Sequence, residues 1–124
     1  MTQQVTIRDV LTKALTLVEN PATFTTNSLA RDADGMSVYA LDERAVCWCS
    51  LGAVIKAGGE LGHDTDLVTG AALSLLHDKV RKLGIVNGFV PMNNMADFND
   101  TASHDRVVKF WKDLLNTDLD NYKE

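Results

Sequence analysis

The sequence predicts a mainly α protein, a compact bundle of about four helices around a central apolar helix, with a small β-hairpin between helices 1 and 2. Three observations lead there. The run Ala45-Val46-Cys47-Trp48-Cys49-Ser50-Leu51-Gly52-Ala53-Val54-Ile55 has no polar face, and an apolar stretch too short to span a membrane belongs inside a soluble core. Stretches near both ends of the chain repeat apolar residues at helical spacing. Between the first of these and the apolar run, two short extended pieces flank the turn-forming Asp32-Ala33-Asp34-Gly35, a hairpin pattern.

The first helix opens on Thr6, which forms a capping box with Asp9 three residues on. Ile7, Val10, Leu11, Ala14 and Val18 make its apolar stripe, and Asn20-Pro21 stops it because proline has no N–H to continue the ladder. Ser28-Leu29-Ala30-Arg31 and Met36-Ser37-Val38-Tyr39 are the arms of the hairpin. The central helix runs roughly from Glu43 to Ala57, capped by Asp42 and ended by Gly58-Gly59. A third helix, about Thr65 to Leu83, takes Asp64 as cap and Gly84 as terminator. Leu73, Leu76, Val80 and Leu83 face its core, while Asp78, Lys79, Arg81 and Lys82 face solvent. Asn87-Gly88 between apolar pairs predicts a second tight turn, and Pro91 opens a short helix through Phe98. Asn99-Asp100 fall in a connection. The last helix covers about His104 to Leu115, with Ser103 as cap and Val107, Val108, Trp111, Leu114 and Leu115 as its buried stripe. The polar residues 116–124 form a tail that frays.

Composition narrows the function. A chain of 124 residues, 45% hydrophobic, can bury an ordinary core as one globular domain, 1–124. The net charge of −5, from 17 acidic against 12 basic residues, disfavours direct binding to a phosphate backbone. The one dense basic run, Lys79-Val80-Arg81-Lys82, reads as cations at a helix C-terminus. On one helix, Cys47 and Cys49 point about 200° apart and neither bond each other nor share a metal. They read as reduced thiols, and with no signal peptide and no apolar segment of membrane-spanning length they predict a cytoplasmic protein without membrane contact. Asp32-Ala33-Asp34-Gly35 resembles part of an EF-hand loop, but Ala30 and Leu41 stand where calcium ligands are required. His63, His77 and His104 lack zinc-ligand spacing, and no phosphate-binding loop follows a strand. No cofactor or metal is expected.

Two places could carry chemistry. Cys49 is a candidate nucleophile, with His104 within reach only through the fold. In the second turn of an apolar helix, however, burial raises a thiol's pKa, and an inert thiol is the favoured reading. Cys49, Gly52 and Ala53 share one helix side, where small residues admit a neighbouring helix. Asn99-Asp100 could line a site, but short polar residues beside a helix start more often satisfy free backbone amides.

Trp48-Cys49-x-x-Gly52-Ala53, preceded by Leu29-Ala30-Arg31-Asp32-Ala33-Asp34-Gly35 and followed by Phe98-Asn99-Asp100, resembles an uncharacterised family of small bacterial and phage proteins. That family carries a Trp-Cys-x-x-Gly-Ala helix and an aromatic-Asn-Asp signature, and the resemblance extends from the first helix to about Leu115. Phe24 and Phe98 replace tryptophans usual in the family, which keeps an aromatic anchor at each place. The resemblance implies an architecture and no activity. It implies that Trp48, Cys49, Gly52, Ala53, Asn99 and Asp100 form one connected unit, with Trp48, Asn99 and Asp100 as binding candidates.

The expectation is a small non-enzymatic accessory protein, phage or mobile-element encoded, that binds a protein partner. The competing expectation is a cysteine-dependent hydrolase or transferase using Cys49 with Asn99, Asp100 or His104.

Overall fold

The structure, a computed structural model, describes residues 5–62, 66–87, 98–100 and 102–116. It is mainly helical, with a small three-stranded antiparallel sheet between the first two helices. Helix α1 spans Ile7–Val18, α2 Ser50–Glu60, α3 Asp66–Asn87 and α4 His104–Leu115; the strands are β1 Ala30–Arg31, β2 Ser37–Val38 and β3 Cys47–Trp48.

The capping box of α1 forms as the residues require: Thr6 Oγ1 accepts from the Asp9 N–H, and the Asp9 carboxylate accepts from the Thr6 N–H. Val10, Leu11, Ala14 and Val18 are buried. Beyond the helix, the Asn20 side chain accepts from the Ala22 N–H, and Thr23 Oγ1 donates to the Leu17 carbonyl, so free carbonyls at the helix end find partners.

α1 packs against α2, α3 and α4, and α2 also packs against α3, so α1 shares the centre with the apolar helix. Two contacts orient α1 against α4. Arg8, in the first turn of α1, donates to the Leu115 carbonyl at the end of α4. His104, at the start of α4, places Nε2 2.7 Å from the Val18 carbonyl at the end of α1. Each helix start thus serves the other's C-terminal carbonyls, and the pair is antiparallel. Ser103 caps α4 through the Arg106 N–H, and Val107, Trp111 and Leu114 are buried in the common core with Leu75, Leu76 and Val80 of α3.

The sheet has the order β2-β1-β3. Ala30 pairs with Val38 on one side and Trp48 on the other, and Arg31 pairs with Ser37 and Cys47. The outer side of β3 is covered: Trp48 donates its N–H to Thr23 and accepts from Thr25, making a parallel bridge with Phe24.

Several boundaries depart from the sequence expectations. Cys47-Trp48 is a strand, and α2 begins only at Ser50, with Cys49 as its N-cap. Short apolar runs suit helix and strand alike, and here pairing with β1 and with Thr23 and Thr25 decides. Asp42 caps no helix. Its carboxylate takes the Arg44 N–H and guanidinium, and those bonds hold its pKa down at about 2. α2 also continues through Gly58-Gly59 to Glu60, and the two glycines lie beneath neighbours: a Cβ at Gly58 would meet the Thr69 side chain and one at Gly59 the Leu41 side chain. The chain turns instead at Gly62, whose φ is +76°.

α3 runs through Gly84 to Asn87, so residues 85–87 are helical rather than the start of a second turn. An interior glycine costs only about 1 kcal/mol of helix propensity, too little by itself to end a helix. Lys79-Val80-Arg81-Lys82 is therefore not the helix's last turn, and the dipole explanation for it fails. Val80 is core, and Lys82 pairs with Asp78 at 3.2 Å. Asn99-Asp100 are helical rather than a connection. The expected Asp64 cap, His63, the rest of the second turn, the helix from Pro91 and the tail beyond Asn116 lie outside the described residues.

Candidate functional site

Cys49, Ser50, Asn99 and Asp100 converge with the loop at 25–29 on the first turn of α2. The N–H groups at a helix start have no intrahelical acceptors, and this start is buried. Asn99, fully buried, supplies one acceptor: its Oδ1 takes the Ser50 N–H at 2.9 Å. The Asn99 amide donates to the Thr25 carbonyl at 3.3 Å and to the Asp100 carboxylate at 3.1 Å. Asp100 in turn accepts the Asn27 N–H at 2.9 Å. Asn27 has φ +64°, a left-handed conformation that asparagine tolerates better than most residues. One Asn-Asp pair therefore fastens the segment leading into α4 to the start of α2 and to the loop before β1.

The helix start holds two further contacts. Cys49 Sγ accepts from the Gly52 N–H at 3.4 Å, and Ser50 Oγ accepts from the Trp111 indole at 3.0 Å. Among the described residues every buried side-chain polar atom has a partner. Burial pushes the Cys49 thiol above its ordinary pKa, the Gly52 and Leu51 N–H groups pull it down less, and the Asp100 charge adds to the rise. The helix N-terminus would by itself favour a thiolate, but here desolvation outweighs it.

The sequence reading placed Cys49 in the second turn of a helix, and the structure puts it at the cap. The close neighbour at Gly52 is also different. A Cβ there would run into the Leu29 carbonyl, so the small residue admits loop backbone rather than another helix. His104 is engaged elsewhere, on the Val18 carbonyl and against Phe24, with ring centroids 4.6 Å apart. Trp48 is buried, with its indole donating to the Ala40 carbonyl and Lys56 5.6 Å over its ring. Ser50, Thr25 and Asn27 belong to this hub and were not singled out in the sequence; Trp111, expected only in the buried stripe of the last helix, joins it as well. Only Ser50, adjacent to Cys49 in an otherwise apolar run, carried a local signal.

A second feature lies on the sheet. Met36, Tyr39, Leu41 and Val46 are exposed large apolar residues on the strand ends and turns around β2 and β3. Among the described residues, no three or more His, Cys, Asp or Glu side chains are grouped to hold a metal ion, and no helix is long and apolar enough to cross a membrane.

These features define a class, a small helical domain carrying a three-stranded sheet whose polar hub is built to lock α2 in place. The chain belongs to a family of unknown function (DUF6197), which matches residues 2–114. No curated protein matches the chain. No solved structure matches it.

Proposed function

We propose that this is a small non-enzymatic accessory protein, encoded by a phage or mobile element, that acts in the cytoplasm by binding a protein partner. The observation that carries the reading is the distribution of exposed apolar side chains. Of the five exposed large hydrophobic residues among those described, four lie between positions 36 and 46, Leu67 on α3 being the fifth. Single exposed apolar residues are ordinary, whereas a local concentration of them marks an interaction surface. Met36 at 64% and Tyr39 at 59% exposure leave more than half of their surface uncovered by the fold.

A photo-crosslinking residue at position 39, in protein expressed in its native host, tests the reading against the same residue at Lys112 on the exposed side of α4. Discrete adducts from position 39 and none from position 112 are expected. Adducts at neither position, or equally at both, would remove the support.

The cysteine-dependent reading has one observation in its favour, the position of Cys49 at a helix N-terminus. Against it stand the burial that raises the thiol's pKa and the engagement of His104 and Asn99 in structural bonds. Iodoacetamide titration of the folded protein separates the two. A buried, protonated Cys49 stays unlabelled at neutral pH while half-buried Cys47 reacts, whereas selective labelling of Cys49 well below pH 8 would restore the enzyme reading.

A further inference from the structure

Among the described residues the sheet has one covered and one open edge, and the peptide groups along the open edge can be assigned. Residue pairs in an antiparallel ladder alternate between those that exchange hydrogen bonds and those that do not. The Asp32 N–H donates to the Met36 carbonyl, and the Arg31 carbonyl accepts from the Val46 N–H, both at 2.9 Å. Arg31 therefore turns its peptide groups toward β3. Its partner across the hairpin, Ser37, turns its own away from β1, toward the open side. Ser37 is exposed. Two residues further on, the Tyr39 N–H points the same way. Unpaired edges can take up another strand; β2 is only two residues long, but no proline removes its outward N–H and no described strand pairs there.

The charge around this edge selects the occupant. Residues 31–46 hold four carboxylates (Asp32, Asp34, Asp42 and Glu43) and two guanidiniums (Arg31 and Arg44). Arg44 is tied to Asp42 at 2.9 Å, and Arg31 is held by Thr25 Oγ1 and the Thr26 and Gly35 carbonyls. Asp34 is exposed in the turn before β2, and Glu43 is exposed in the connection between β2 and β3. A second copy of this chain would bring the same carboxylates to the edge, and like charges facing each other are unfavourable.

We infer that the outer edge of β2 receives an extended, basic segment of a partner protein, which joins the sheet as a fourth strand bonded to Ser37 and Tyr39. Lysine or arginine in that segment faces the exposed carboxylates around the edge, Asp34 first, and its apolar residues, all on one face of the added strand, cover Tyr39. The inference rests on the protein-binding reading above and adds its mode, strand addition at a sheet edge.

Selection of a display library of random linear peptides on the immobilised full chain tests it. The peptides selected should alternate apolar or β-branched residues with Lys or Arg. Ser37→Pro removes only the outward N–H, since that residue's N–H takes no part in the ladder with β1, and edge strands tolerate proline there. It should weaken the selected peptides about tenfold or more by fluorescence anisotropy. Should Ser37→Pro fail to fold, the exposed-site reversals Asp34→Lys and Glu43→Lys serve instead. Each should weaken binding at low salt, with the difference shrinking as salt rises. Acidic peptides, binding indifferent to all three variants, or no selection at all would overturn strand addition. So would a dimer of this chain that Ser37→Pro dissolves, which would make a second copy the occupant. Crosslinking from position 39 alongside any of these results would leave partner binding standing and remove only its mode.

Discussion

Asn99 is buried completely and uses both ends of its amide. Asn99→Ala leaves the Ser50 N–H without its acceptor in a site that water does not reach, and an orphaned buried group costs about 1–3 kcal/mol. A urea melt should show that loss. A melt unchanged within about 0.5 kcal/mol, as at an ordinary surface position, would mean that the hub does not hold α2. Gly52 makes the complementary demand, for space. The neighbour of a Cβ there is the Leu29 carbonyl, which cannot swing away as a side chain can, and Leu29 also accepts from the Cys49 N–H at 3.2 Å. Even Gly52→Ala should therefore destabilise by about 1–3 kcal/mol, the usual cost of overpacking, despite alanine's better helix propensity. A raised melting temperature would show that the loop yields at no cost.

At the scale of elements, the helices that the sequence defines best are those whose ends carry their own chemistry. α1 has its Thr6–Asp9 box and α4 its Ser103 cap, and both run as expected. Ser103→Ala should cost about 0.5–2 kcal/mol, read as a lower midpoint in a thermal melt. No change would place the α4 start in the keeping of His104 and Val18 alone. α2 is different because its cap is a cysteine, a weak acceptor seldom used for the purpose, and the amide that completes the cap comes from Asn99, 49 positions along the chain. Asp42, Glu43 and Arg44 look like a first helical turn, but Asp42 spends its carboxylate on Arg44. The ends of α2 and α3 were hidden for a related reason. Gly58, Gly59 and Gly84 read locally as stops, while Thr69 packed over Gly58 favours a small residue within the helix and the Leu41 side chain lies over Gly59.

For the whole molecule, α1 contacts α2, α3 and α4, and the hub joins α2, α4 and the loop before the sheet. The two tryptophans sample different parts of this arrangement: Trp48 on β3 beneath Lys56, Trp111 on α4 against Ser50. If the chain is one cooperative unit, Trp48→Phe and Trp111→Phe proteins, each reporting through its remaining indole, unfold with fluorescence transitions that coincide with their own circular-dichroism transitions. Separate midpoints within one variant would divide the chain into independently melting parts.

The sequence by itself determined the class of fold, the hairpin of β1 and β2, and the full extent of α1 and α4, because apolar periodicity, caps and turn residues act over a few neighbouring positions. It also marked Cys49, Asn99 and Asp100 as residues to watch. Tertiary structure alone decided that Cys47-Trp48 is a strand, since the partners that make it one, Ala30, Arg31, Thr23 and Thr25, lie far back in the chain. It likewise decided which backbone amide Asn99 serves, why Gly52 must be small, and which edge of the sheet is left without a described partner. Each of these depends on what is brought alongside, and the spacing of residues along a chain holds no record of contacts across it.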